Sequence, residues 1–311
     1  MQTSVYATGE SVTAQAYDFY GESMSTGSES GVLRVHRRNA DNGWNEDEEM
    51  VIEGAHDARV TTLSHSYPSY GTLLASASTD RTIKIWEMRK SSTNNRLIAK
   101  FTESKAPIAQ VEFTSPASLQ LVSLSVDGVL RVYQATIPSD PTTWSCVHTH
   151  KATQTSSEQR KDDTFALSVC PDKEYAGLVA VVAGHTTTVD IIGYSTSSRP
   201  SVVHQLTVNA PISSVQWSPG CKRGFWHVAV GSRDGLVRIF KVAVTQSETD
   251  AKALWDSHLV AELEHGGVVA SLSWNVFGTV LTSSGDNATA NVWKASYTGV
   301  WSCHSTYSIS E

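Results

Sequence analysis

Leu73-Leu74-Ala75-Ser76-Ala77-Ser78-Thr79-Asp80 runs directly into Arg81-Thr82-Ile83-Lys84-Ile85-Trp86. The run from Leu73 to Ser78 is small and apolar, as in a strand buried on both faces, and Thr79-Asp80 supplies turn residues. Ile83 to Trp86 then alternates apolar and polar with period two, the mark of a further strand. Upstream lie Gly54-Ala55-His56 and the alternating segment VTTLSHS from Val60. The stretch therefore reads as three short strands joined by turns.

The same frame returns along the chain: a small-residue strand, a turn residue, and a bulky residue six positions later. Ser30 leads to His36, Asp80 to Trp86, Asp127 to Tyr133, Thr186 to Ile192, Asp234 to Phe240 and Asn287 to Trp293. Successive end positions are 50, 47, 59, 48 and 53 residues apart, near the ~40–45-residue period of WD-type propellers and lengthened by loops. An alternating first strand opens each unit, at Ala14, Val60, Ile108, Phe165, Ile212 and Val269. Six units are legible and a seventh is not. Trp44, Trp144 and Trp301 follow three of the units and are read as opening outer strands, which gives four strands per blade. The expected fold is all-β, a six-bladed WD-repeat β-propeller.

Composition agrees. Ser, Thr and Val supply 42, 31 and 33 of the 311 residues, and β-branched Thr and Val favour strands over long helices. A length that first suggests about two domains is instead consumed by six units, so residues 1–311 are read as a single propeller with repeats ending near 36, 86, 133, 192, 240 and 293. The net charge of −7 and the scattered basic pairs (Arg37-Arg38, Arg89-Lys90, Lys222-Arg223) argue against direct nucleic-acid binding. No apolar run approaches the ~18 residues of a spanning helix, so no membrane insertion is expected. The first residues lack a basic leader and apolar segment, and Cys146, Cys170, Cys221 and Cys303 form no C-x-x-C pair; together these point to a reducing nuclear or cytosolic setting.

In the fullest repeat, His56, a strand serine (Ser76 or Ser78), Asp80 and Trp86 are the residue types of the buried hydrogen-bonded group that ties a WD turn to its sheet. A Ser, His and Asp also compose hydrolase triads, but the repeat spacing and the added Trp favour the structural role. Ser30, Thr186 and Asn287 replace the turn Asp elsewhere, leaving those blades more dependent on packing. No phosphate-binding loop or nucleophile elbow is present. Cys146, His148 and His150 are too few for a metal site. The acidic run Glu46-Asp47-Glu48-Glu49 reads as a solvated loop, the Asn287-Ala288-Thr289 sequon as an unglycosylated turn, and residues 148–163 and 244–257 as long polar connections. No catalytic residue, metal, cofactor or small-molecule substrate is assigned.

Ser273-Trp274-Asn275 with GTVLTSSGDN and VWKASYTGVWSC resembles the last repeat of the Sec-thirteen-homologue nucleoporins, relatives of the COPII outer-coat propeller. DGVLRVYQA from Asp127 is similar to their third repeat, and APISSVQWSP with VGSRDGLVRIF to their fifth. The chain departs from the pattern at Ser30 and His36, and keeps the Gly-His pair only in part, as Ala55-His56 and Glu264-His265. The resemblance implies an open six-bladed propeller, completed by a blade that a helical scaffold nucleoporin inserts. It implies a non-enzymatic scaffold of the Y-shaped nuclear pore subcomplex at the nuclear envelope, beside other subunits of that complex and in support of protein and mRNA transport. It also implies a role in an amino-acid-signalling coat at the vacuole or lysosome. An open ring leaves strand edges and blade faces unpaired, and Ser4, Val5, Tyr6 and Ala7 are expected to add a strand at that edge. The competing readings are the COPII propeller itself and a generic WD adaptor that binds peptides.

Overall fold

The computed structural model describes residues 10–38, 43–88, 96–114, 118–137, 140–152, 160–172, 175, 177–195, 198–220, 224–246 and 253–308. Packing divides the chain into two compact units, residues 1–149 and 150–311. The first holds β1 (Val12–Tyr17), β2 (Ser23–Ser28), β3 (Leu33–Arg38) and β4 (Trp44–Ile52); then β5 (Val60–His65), β6 (Leu73–Ser78), β7 (Ile83–Glu87) and β8 (Arg96–Phe101); then β9 (Ile108–Phe113), β10 (Gln120–Ser125), β11 (Val129–Ile137) and all but the last two residues of β12 (Asp140–Lys151). The second holds β13 (Thr164–Val169), β14 (Leu178–Gly184), β15 (Thr188–Gly193) and β16 (Ser201–Thr207); then β17 (Ile212–Trp217), β18 (Phe225–Ser232), β19 (Leu236–Gln246) and β20 (Ala253–Glu264); then β21 (Val269–Trp274), β22 (Val280–Gly285), β23 (Thr289–Ala295) and β24 (Trp301–Ser308). Each consecutive set of four strands pairs antiparallel in chain order to form one sheet. The fold is an all-β WD-repeat propeller of six four-stranded blades.

Several readings of the outer strands need correction. β12 begins at Asp140, ahead of Trp144, and runs through His148 and His150. β19 and β20 extend into 244–246 and 253–257, which the sequence presents as connection. The acidic run 46–49 lies in β4 rather than in a loop. β4, β12 and β20 are the outermost strands of their sheets, and residues 244–246 of β19 pair with β20 alone, beyond the end of β18. Backbone at such an edge is open to water on one side, so polar residues suit it as well as they suit a loop. Residues 1–9, 153–159 and 247–252 lie outside the described residues.

Within each unit the seams between blades follow one rule. The third strand of a blade presents two alternate apolar residues to the first two strands of the next. Leu33 and Val35 meet Val60, Leu63 and Leu74, and Ile83 and Ile85 meet Ile108, Val111 and Leu121. In the second unit Val189 and Ile191 share a cluster with Ile212 and Val215, as do Val237 and Ile239 with Val269 and Leu272. Period-two alternation sends one set of side chains to each face, so every central blade is buried on both.

Serine and threonine stitch these seams. Val111 N–H donates to Thr62 Oγ1 at 2.9 Å, Phe113 N–H to Ser64 Oγ at 3.0 Å and Trp217 N–H to Ser168 Oγ at 3.0 Å. Thr13 Oγ1 donates to the Val60 carbonyl and Ser213 Oγ to the Val269 carbonyl, each at 2.6 Å. Their abundance thus serves two needs. Small hydroxyl side chains let blades approach, and they satisfy backbone groups that a buried seam would otherwise orphan.

Candidate functional site

Blade 2 assembles its polar group around Ser76. The buried Ser76 Oγ lies 2.7 Å from His56 Nε2 and accepts from Trp86 Nε1 at 3.0 Å. His56 Nδ1 lies 3.0 Å from Asp80 Oδ2, and the other Asp80 oxygen accepts the Thr82 N–H at 2.8 Å and hydroxyl at 2.7 Å. Hydrogen bonds from Thr82 hold the Asp80 carboxyl down, at about 2, against its burial. Burial likewise pushes the His56 imidazole below its ordinary value, so the ring is neutral at physiological pH. Ser78 stands apart from this group: its hydroxyl donates to the Ala58 carbonyl and accepts the Asp80 N–H, each at 3.1 Å. It serves the turn. Ser76 Oγ is fully enclosed between an imidazole and an indole, so this Ser, His and Asp give a substrate no access.

Equivalent positions in the other blades carry substitutions. Blade 1 pairs Thr26 Oγ1 with His36 Nε2 at 3.3 Å. Blade 6 places Ser283 Oγ 3.0 Å from His265 Nδ1 and within 2.8 Å of the donating Trp293 Nε1, with Asn291 Nδ2 3.1 Å from the same His265 nitrogen. Its Gly285 stands where Ser78 stands in blade 2, and a Cβ there would come within 2.3 Å of His265 Nε2. Blades 3 and 5 use arginine. Arg238 donates to Asp234 Oδ2 at 2.8 Å, Ser232 Oγ at 2.7 Å and Glu262 Oε1 at 2.7 Å, while Arg131 Nη1 donates at 3.3 Å to Ser125 Oγ, itself bonded to Asp127. These buried arginines lie four positions after the turn Asp in DGVLR and DGLVR. That spacing places them on the next strand, two side chains inward from the turn. It is the signal by which both are legible in the sequence, once aspartate-to-arginine pairing is sought in place of aspartate-to-histidine.

Two blade faces lack the cover that the seam rule leads one to expect. Val12 of β1 is 42% exposed, where the corresponding Val60, Ile108, Ile212 and Val269 are each 1% exposed or less. Gln15 and Tyr17 on the same face are exposed too. In blade 6, Thr282, Ser284, Ala290 and Val292 correspond by register to Ala229, Gly231, Val237 and Ile239 of blade 5. The blade 5 set is buried against blade 6; the blade 6 set is only partly buried, with Ser271, Ser273 and Lys294 exposed beside it. Ser4 to Ala7, assigned to this edge from the sequence, lie outside the described residues.

Among the described residues no group of three or more His, Cys, Asp or Glu side chains is placed to hold a metal ion. His148 and His150 lie along β12, and the nearby Cys146 Sγ contacts the His148 carbonyl at 3.4 Å. No described helix is long and apolar enough to cross a membrane.

The WD domain, G-beta repeat family matches residues 49–87, 200–241 and 257–294. Each match takes the outer strand of one blade with the three inner strands of the next, so the sequence repeat straddles a seam. Over 93% of its length the chain is 29% identical to nucleoporin SEH1 of Saccharomyces cerevisiae, covering 94% of that protein. It is 28% identical to nucleoporin seh1 of Schizosaccharomyces pombe, with 94% and 92% covered, and 26% identical to nucleoporin SEH1 of Homo sapiens, with 93% and 82% covered. A chain of the crystal structure of the mitotic checkpoint complex matches with a TM-score of 0.66 at 16% identity, over 93% of this chain and 76% of that one, a likeness of fold alone. Over 93–94% of its length the chain is therefore similar to nucleoporins named SEH1, on a propeller whose repeats carry the WD polar group and match the WD domain, G-beta repeat family in three places.

Proposed function

We propose that the chain is a non-enzymatic scaffold subunit of the nuclear pore complex, within its Y-shaped outer-ring subcomplex, supporting nucleocytoplasmic transport from the nuclear envelope. Residues 1–311 act as one propeller, and a helical scaffold nucleoporin completes it with an inserted blade. One observation carries this reading: Val12 stands exposed at a position buried in blades 2, 3, 5 and 6, as the first blade would leave it if its predecessor came from another chain. The half-exposed pairs Thr282–Val292 and Ser284–Ala290 give blade 6 the matching need for a successor. Small and β-branched residues on a sheet face suit packing of one sheet on another, and addition of the Ser4–Ala7 segment to the incoming blade follows β-augmentation. The same surface would serve a coat complex of amino-acid signalling at the vacuole or lysosome.

Affinity purification of the tagged chain tests this. Equimolar recovery of a helical nucleoporin, abolished by Val12→Asp combined with Val292→Asp, is the expected result. Recovery of a COPII cage subunit alone, or of partners indifferent to both substitutions, overturns it.

A further inference from the structure

Blade 5 closes its turn with Asp234 bonded directly to Arg238 four residues on, and blade 3 with Asp127 linked to the equivalent Arg131 through Ser125 Oγ. Blade 1 keeps the arginine, Arg34, but has Ser30 at the turn position. A carboxylate is nevertheless present. Glu10, immediately ahead of β1, accepts from Ser30 Oγ through Oε2 at 2.8 Å and from Arg34 Nη2 through Oε1 at 2.9 Å. Ser28 Oγ stands 2.8 Å from Ser30 Oγ, just as Ser125 and Ser232 contact their turn aspartates. The neighbouring Glu29 N–H donates to the Ser11 carbonyl at 3.3 Å. We propose that Glu10 is the relocated turn carboxylate of blade 1, and that it positions β1, the strand whose exposed face meets the incoming blade.

The need for such a clamp follows from the burial of β1. The innermost strands β5, β9, β17 and β21 each begin on a residue sealed into a seam, whereas β1 begins on the exposed Val12 and carries Gln15 where Leu63, Val111, Val215 and Leu272 are buried. Apolar burial therefore holds β1 less firmly than its counterparts, and a charge-assisted pair at its N-terminal end supplies the missing restraint. Hydrogen bonds from Arg34 and Ser30 hold the Glu10 carboxyl at about 2, so it stays ionised throughout the physiological range. The role assigned to the exposed face rests on the proposed function; the clamp itself does not.

Amide hydrogen exchange on the full chain, without any partner, separates the two. Glu10→Gln is expected to speed exchange of the β1 amides by about fivefold, as a charge-assisted pair is lost, and to leave β5 and β9 unchanged. Adding Ser30→Asp to Glu10→Gln returns a carboxylate to the turn and is expected to restore protection. Ser30→Asp alone sets two carboxylates against one arginine and brings no gain. Wild-type exchange in Glu10→Gln, or failure of Ser30→Asp to restore it, overturns the proposal and leaves the partner reading standing. Restored protection in the double variant, with no nucleoporin recovered by it or by wild type, would sink the partner reading alone.

Discussion

His65 shows how one side chain couples the seam to pH. Burial pushes its imidazole down to about 4 from an ordinary 6.5, with Asp18 opposing the shift, and Nε2 lies 2.9 Å from Ser25 Oγ of the neighbouring blade. A histidine with a lowered folded-state value is neutral in the native protein and takes up its proton more readily when unfolded. Stability is then complete above about pH 6.5 and falls as pH drops toward 4, by about 3 kcal/mol over the window. Urea unfolding followed from pH 7 to pH 4 is expected to show this slope, and His65→Gln to remove a large part of it. Asp80 acts in a lower window. Its depressed carboxyl adds stability that is present above its ordinary 3.8 and is lost as pH falls toward 2. Asp80 and Trp86 are readable in the sequence because both lie on the run from Leu73 to Trp86, six positions apart. The choice of Ser76 over Ser78 was not readable, since two serines of one strand with the same parity point to the same face, and only their depth along the strand separates a buried acceptor from a turn cap.

At the level of strands, closeness of approach is the controlling quantity. Gly231 lies where β18 passes under β21, and a Cβ added there would come 2.5 Å from Val269 Cγ1; Gly27 stands in the same relation to Val60. Gly231→Ala is expected to cost about 1–3 kcal/mol as an overpacked seam, read from the denaturation midpoint. Ser284 holds the corresponding place in blade 6, on the face that receives no blade within its unit. Ser284→Ala is expected to change stability by no more than about 0.5 kcal/mol. Equal effects at the two positions would contradict the assignment of faces. The inner strands were legible because seams demand alternation on both faces. Strands β8, β16 and β20 were not, for a physical reason: β8 buries Phe101 and β16 buries Leu206 as their only fully enclosed residues, and β20, among its described side chains, buries only Leu263. A strand with one anchor carries almost no period.

For the molecule as a whole, incomplete burial of the end blades has a thermodynamic consequence. A partner that binds the folded chain and not the unfolded one raises apparent stability by about 2.7 kcal/mol at a hundredfold excess over its Kd. The isolated chain is therefore expected to show early proteolysis in blades 1 and 6, and a melting temperature that rises with the concentration of the recovered nucleoporin. Native mass measurement and limited proteolysis check this, and a chain equally resistant with and without that nucleoporin would argue for a self-sufficient adaptor. Each sheet closes on four consecutive strands, so the described residues contain no blade shared between the two ends of the chain.

Strand period, turn residues and the six-position step from turn to bulky residue are local properties, set by backbone pleat and by the few residues that tolerate a tight turn. They were enough to determine the class of fold and the number of blades from sequence alone. Which serine joins His56, which arginine answers a turn aspartate, and that Glu10 reaches a turn 20 residues away were decided only in the tertiary structure. So was the exposure of Val12, a residue no different in type from Val60 or Val269. Burial depends on what lies across the seam, and no single strand encodes its neighbour.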